Sequence, residues 1–259
     1  MPAPRRRRDW FIEQEPPAED LPALYTFVHA GGRADRFLDW QPDLRTARLV
    51  GMCAPGTGHR YTEPRIEGVA ELAAEAARAL TRTATAPYFL FGHSLGAVVA
   101  YETARRLPVR PQALIVSGCA GPPILPSERV VQLSSLPPDL FAREVRFFGG
   151  IPPELESGSE IEALLVERLR SDFAMVAEYE YRPGPLLDVP VVALAGVDDP
   201  HLGRDRVRRW QEVTSRPMEL HELEGGHFYF DADPAETLAI LRRTIAEHTS
   251  SQETHVELI

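Results

Sequence analysis

The segment PYFLFGHSLGAVVAYETARRL (Pro87–Leu107) decides how the rest of the chain is read. Tyr88–Phe91 is a short apolar run of the kind that forms a buried strand. It leads through Gly92-His93-Ser94-Leu95-Gly96 straight into an alanine-rich stretch in which Val98, Tyr101 and Ala104 follow helical spacing. A serine between two glycines at a strand-to-helix junction fits the Gly-x-Ser-x-Gly elbow. So sharp a turn strains the serine backbone and pushes its hydroxyl out at the carboxyl edge of the sheet. A side chain at either glycine would crowd the adjoining strand and helix. The helix start also aims unpaired N–H groups and a positive dipole end at the same point. Ser94 is therefore the candidate nucleophile, and the Leu95 N–H a candidate oxyanion donor.

Similar apolar runs recur at Leu24–Ala30, Ala47–Met52, Ala113–Gly118, Val189–Gly196 and Met218–Leu223. They are nearly continuous, as strands buried on both faces are. Helical patterns separate several of them, over Ile66–Leu80, Val98–Leu107 and, near the end, Pro234–His248. Strands alternating with helices predict an α/β fold built on a mostly parallel, doubly wound sheet. From Gly121 to about Leu187 the alternation stops. Paired prolines and helical patterns at Pro138–Phe148, Ser159–Arg168 and Leu169–Tyr181 replace it. An insertion of this size between two strands predicts a helical lid over a site, with a purely structural subdomain as the alternative. The expected organisation is a flexible tail at 1–20, a core at 21–120 and 188–249, a lid at 121–187 and a second tail at 250–259.

A serine is a weak nucleophile near neutral pH and needs a base. In this architecture the order along the chain is Ser, acid, His. His221 falls inside a strand pattern, and His248 and His255 lie in or beyond the last helix, so His227 in EGGHFYF is the candidate base, ahead of His201. The acid should follow the preceding strand, where VVALAGVDDPHL offers Asp198 and Asp199. Asp199 is preferred because Pro200 restricts its backbone to an extended shape. Helix capping is the alternative role for this pair, and the expected one for Asp231 and Asp233. The first core strand ends in VHAGGRADRF, where a glycine pair lets backbone approach a ligand closely. The Ala30 N–H is the second candidate oxyanion donor.

Composition narrows the chemistry. The chain has 259 residues, a net charge of −10 and no lysine, its 28 basic residues all being arginine. A phosphate-binding Walker loop, a Schiff base and a Ser-Lys dyad each need a lysine. The acidic balance argues against nucleic acid as a partner. No apolar run approaches the roughly 18 residues that cross a bilayer. Acidic residues follow Arg5–Arg8, so that run does not begin a signal peptide. Two cysteines, Cys53 and Cys119, make neither a disulfide framework nor a zinc cluster. A cytoplasmic monomer with free thiols, and without metal or cofactor, is expected.

These segments together resemble the type II thioesterases of polyketide and nonribosomal peptide synthesis, stand-alone members of the α/β-hydrolase superfamily. HAGG (His29–Gly32), APGTGHRYTEP (Ala54–Pro64), FGHSLGA, SGCAGP (Ser117–Pro122), LRSDFAMVAEYEY (Leu169–Tyr181), GVDDP and GGHFYF follow in the order of that family. Phe27-Val28 stands where the family often has Phe-Pro, and Thr57 where it often has arginine. The resemblance implies an α/β-hydrolase fold and hydrolysis of acyl groups from the phosphopantetheine arm of acyl or peptidyl carrier proteins. It implies an editing task, clearing stalled or misprimed synthases through an acyl-Ser94 intermediate. The same triad could instead serve a carboxylesterase, an acyltransferase or a cyclase, or the fold could bind carriers without catalysis. Carrier proteins are usually acidic, so docking requires a local basic patch, for which Arg143, Arg146, Arg168 and Arg170 are the candidates.

Overall fold

All six apolar runs become strands of one sheet in the computed structural model, which describes residues 10–14, 21–85 and 87–256 (250–256 as backbone alone). The strands are β1 (Phe11–Ile12), β2 (Ala23–Phe27), β3 (Arg48–Met52), β4 (Tyr88–His93), β5 (Leu114–Ser117), β6 (Val191–Gly196) and β7 (Met218–Leu223). Their order across the sheet is β1-β3-β2-β4-β5-β6-β7. Every pairing is parallel except β1 with β3. The helices are α1 (Gln41–Leu44), α2 (Val69–Thr83), α3 (Leu95–Ala104), α4 (Glu128–Ser134), α5 (Pro138–Phe147), α6 (Glu160–Ala177), α7 (Arg204–Arg208) and α8 (Ala235–Val256).

Alternate residues of the central strands feed two cores, which explains why the runs read as continuous. Tyr25, Leu90, Val116 and Val191 face α2 and α3. Leu24, Phe89, Ile115 and Val192 face Phe37, Trp40 and the Leu238, Leu241 and Ile245 stripe of α8. The helical insertion has a third, smaller core of Leu133, Phe141, Val145, Ile151, Val166 and Leu169, against which Ala30 packs.

The structure departs from the sequence reading in four places. Phe11–Ile12, inside the expected amino-terminal tail, pairs with β3 because the open sheet edge takes an apolar dipeptide. Trp10 adds to this contact, with Arg60 4.3 Å above its ring and its carbonyl accepting the Cys53 N–H at 2.7 Å. The Arg5–Arg8 run lies outside the described residues. The last helix continues through Val256 into the expected carboxyl-terminal tail, since neither Gly nor Pro follows His248 to stop it. The patterns Ser159–Arg168 and Leu169–Tyr181 form one helix, α6, again because no breaker divides them. Helix α4 was not expected. Its start is marked by Ser127, whose hydroxyl accepts the Val130 N–H at 3.2 Å.

Candidate active site

Strand β4 ends and α3 begins at Ser94, which has φ 55° and ψ −120°. Positive φ is unfavourable for a residue with a Cβ, by about 1–3 kcal/mol at such sites. The surroundings hold it there: the Ser94 N–H donates to the Ser117 carbonyl at 2.8 Å, and its carbonyl accepts the Ala97 N–H at 3.0 Å. Close packing accounts for both flanking glycines. A Cβ on Gly92 would overlap the Gly96 backbone, and one on Gly96 would overlap the Phe27 carbonyl of β2. Leu95 N–H stands at the first position of α3, where no intrahelical acceptor exists.

The loop after β6 and the loop after β7 meet beside this turn. Asp199 Oδ2 and His227 Nδ1 are 2.6 Å apart. Oδ1 of the same carboxylate accepts the His201 N–H at 2.9 Å. The Asp199 side chain is 0% exposed, so these contacts rather than water satisfy it. Burial alone would raise its pKa. The hydrogen bond and charge of His227 and the His201 N–H outweigh burial and hold the carboxyl below its usual range. Asp198 is exposed and touches the site only through its backbone, donating to the Gly225 carbonyl at 2.9 Å. Neither aspartate caps α7, whose N-cap is Gly203. Asp233 does cap α8, accepting the Ala235 N–H, whereas Asp231 pairs with Arg36.

Ser94, Leu95, Ala30, Asp199 and His227 line one cavity of about 100 Å³. That is several times the roughly 10–15 Å³ needed for one water, and Val98, Leu133, Phe173 and Val176 make its far walls apolar. Among the described residues no hydrogen bond joins the Ser94 hydroxyl to His227, a contact that commonly tightens only when substrate arrives.

Two further histidines, His93 of the elbow and His201, surround the pair in roles the sequence reading did not assign. His93, fully buried, packs 4.9 Å from the His227 ring, and its Nδ1 lies 2.8 Å from Ser117 Oγ, itself 2.6 Å from the Tyr229 hydroxyl. Burial, reinforced by the charge on His227, drives the His93 pKa well below the ordinary value. A neutral imidazole thus backs His227. His201 is also lowered by burial, with Asp199 opposing, and its ring stands edge-on to Phe148, 4.9 Å away. His201 binds Asp199 through its main chain, a contact no residue pattern reports.

The four arginines expected to form a docking patch divide differently. Arg146 pairs with Glu162, Arg168 donates to the Gly32 carbonyl, and Arg170 donates to the Leu136 carbonyl beneath the Phe141 ring. Only Arg143 of the four is exposed. Sequence shows a charge but not the partner that absorbs it.

A strained serine, a buried Asp–His pair and an apolar cavity shared by all three form a candidate acyl-transfer site, and comparison with known proteins identifies the family. The profile of the thioesterase domain matches residues 22–246. The chain belongs to the thioesterase-domain family. Thioesterase PikA5 of Streptomyces venezuelae is 35% identical to this thioesterase over 233 residues, or 86% of this chain and 80% of PikA5. Among solved structures, the type II thioesterase BorB from the borrelidin biosynthetic cluster aligns with TM-score 0.83 at 30% identity, covering 91% of this chain and 97% of BorB. YbtT, the type II thioesterase from the yersiniabactin NRPS/PKS pathway, gives TM-score 0.83 at 30% identity over 92% of this chain and 99% of YbtT. The α/β-hydrolase fold and the resemblance to type II thioesterases are therefore shared across nearly the whole chain. Among the described residues no group of His, Cys, Asp and Glu could hold a metal ion, and no helix of the thioesterase is long and apolar enough to cross a membrane.

Proposed function

We propose that this thioesterase hydrolyses acyl groups from the phosphopantetheine arm of acyl or peptidyl carrier domains, clearing stalled or misprimed polyketide or nonribosomal peptide synthases. The observation that carries the reading is the 2.6 Å Asp199–His227 pair, which opens onto the same apolar cavity as Ser94. The pathways named for BorB and YbtT supply the carrier-borne substrate class.

In this mechanism His227, its Nδ1–H held by Asp199, takes the Ser94 proton on Nε2 as the serine oxygen attacks the thioester carbonyl. The Leu95 and Ala30 N–H groups receive the oxyanion, where fixed donors in a water-poor site stabilise developing charge most strongly. The tetrahedral centre collapses, the carbon–sulfur bond breaks, and the imidazolium returns its proton to the departing pantetheine sulfur. A water then repeats the cycle: His227 takes its proton, the hydroxide adds to the acyl-serine, and Ser94 leaves reprotonated beside a free acid. The acyl chain occupies the apolar end of the cavity, and the insertion of α4, α5 and α6 serves as its lid. No cofactor of the protein's own takes part, the pantetheine arm arriving with the substrate.

The test is intact-mass analysis of a carrier protein loaded with acetyl, propionyl or longer groups and incubated with wild type or Ser94→Ala. Loss of the acyl mass with wild type alone is expected. Persistence of the acyl mass with both, alongside turnover of simple oxygen esters, would replace this function with that of an esterase.

A further inference from the structure

Asp172, in the Leu169–Phe173 segment LRSDF, has no part in the mechanism above, yet α6 places it in a specific contact. Asp172 is buried, at 6% exposure. Its Oδ2 accepts the Gly31 N–H at 2.7 Å, and its Oδ1 pairs with the Arg65 guanidinium. One turn earlier on the same helix, Arg168 donates to the Gly32 carbonyl. Between them Leu169 lies so close that a Cβ on Gly31 would come within 2.7 Å of its Cδ2. Gly31 has φ +75°, so both its space and its conformation exclude a side chain.

The Gly31–Gly32 part of the loop lies between two cavities. The cavity containing Ser94 lies on one side, against Ala30. A second cavity of about 40 Å³ lies on the other, against His29 and Gly32. Within the loop, the Gly32 N–H donates to the His29 carbonyl at 2.9 Å. The direction of the Ala30 N–H depends on the peptide planes beside it. The plane that Asp172 fixes is the next one, between Ala30 and Gly31. An oxyanion donor must stand about 2.7–3.1 Å from the oxyanion, so a freely rocking plane would weaken it. A bare carboxylate this near would also repel the oxyanion. Arg65 bound to it, and Arg168 beside it, remove that penalty.

We propose that Asp172 is a positioning residue for the reaction: by holding the Gly31 N–H it sets the Ala30 peptide as an oxyanion donor, with Arg65 neutralising its charge. This rests on the reading of Ser94 as nucleophile and Ala30 as donor.

The test compares Asp172→Ala with Asp172→Asn on a short acyl N-acetylcysteamine thioester, which needs no carrier docking. Asparagine keeps an oxygen for the Gly31 N–H, whereas alanine does not. Outright loss of one oxyanion donor lowers kcat about 10²–10³-fold, and a misdirected donor loses part of that. Asp172→Ala should therefore lower kcat by about 10–100-fold with KM changed by less than about threefold. Its affinity for an acyl trifluoromethyl ketone, whose adduct carries the oxyanion, should weaken by a similar factor. Asp172→Asn should recover kcat to within about threefold of wild type, although both variants lose the ion pair and melt earlier. If the alanine variant does not fold, Asp172→Leu, which fills the space, is judged by the same criteria. A kcat unchanged in the alanine or leucine variant, or an asparagine variant as slow as alanine, overturns the proposal. Ser94→Ala separates the two levels: its residual activity would remove the underlying mechanism, while an inactive Ser94→Ala beside a fully active Asp172→Ala removes this inference alone.

Discussion

Replacing Asp199 by asparagine changes a single atom type, and the geometry around it sets the consequence. Both carboxylate oxygens are used as acceptors, Oδ2 by His227 Nδ1 at 2.6 Å and Oδ1 by the His201 N–H at 2.9 Å. Asparagine offers one acceptor and one donor to those two donors. With its oxygen on His227, its amide faces the His201 N–H, and two buried donors oppose each other at a penalty of about 1–3 kcal/mol. With its amide on His227, the imidazole must accept at Nδ1 and carry its proton on Nε2, where it cannot take the Ser94 proton. The second arrangement relieves the clash and dominates. Reaching the first from it reduces the rate by about 5–150-fold, at one decade per roughly 1.4 kcal/mol. Even there, the imidazolium lacks the negative charge that stabilises it. Together these place the fall in kcat at about 10³–10⁴, the scale of the same change in the serine protease triad. Because the side chain is fully enclosed, no water softens the effect. The assay is steady-state turnover of a short acyl thioester near neutral pH, with melting temperature as the folding control. Asp198→Asn, at the exposed neighbouring position, should stay within about twofold of wild type. An Asp199→Asn enzyme retaining more than about a tenth of wild-type kcat would refute the assignment of Asp199 as the residue that orients His227.

Three other outcomes follow from the same surroundings. The depressed pKa of buried His93 means that only the unfolded chain takes up this proton below about pH 6.5, so stability should fall with decreasing pH by up to about 1.4 kcal/mol per pH unit from this group; urea melts giving equal stability at pH 5 and pH 7 would contradict it. Burial pushes the Cys119 thiol up to about 12, so iodoacetamide at mildly alkaline pH should leave it unmodified in the native enzyme and label it after unfolding, as peptide mass mapping would show. Phe173→Ala lengthens the apolar end of the cavity and should raise kcat/KM for octanoyl relative to propionyl thioesters, by up to about fourfold per methylene newly accommodated; an unchanged ratio would place the acyl chain elsewhere.

The strands could be read because each is buried on both faces and leaves an unbroken apolar run. The turn at Ser94 could be read because strand, glycines and helix adjoin within one segment. Helix α4 is too short for periodicity to mark it, and only Ser127 signals its start. The contacts of Asp172 lie beyond pattern reading for a different reason: its partners Gly31 and Arg65 are 141 and 107 residues away. Arg146, Arg168 and Arg170 looked like surface charge because sequence gives sign without surroundings. His201 reaches Asp199 through its backbone, so its side-chain chemistry gave no hint of the contact.

All ten residues of α3 are buried, and its small Gly96, Ala97, Ala100 and Ala104 let it lie hard against its neighbours. Such a helix has no slack with which to shift for new acyl groups, so reshaping the cavity by moving backbone falls to the insertion between β5 and β6. That makes the insertion a natural cassette for transplanting between related enzymes, leaving the reacting groups undisturbed. The cassette has fixed couplings, however. Tyr179 donates to Glu102 of α3 at 2.8 Å, and Asp172 and Arg168 grip Arg65 and the Gly31–Gly32 backbone. A chimera that exchanges the insertion while keeping those residues matched should retain its rate constant and change its substrate range, whereas one that breaks them should lose both.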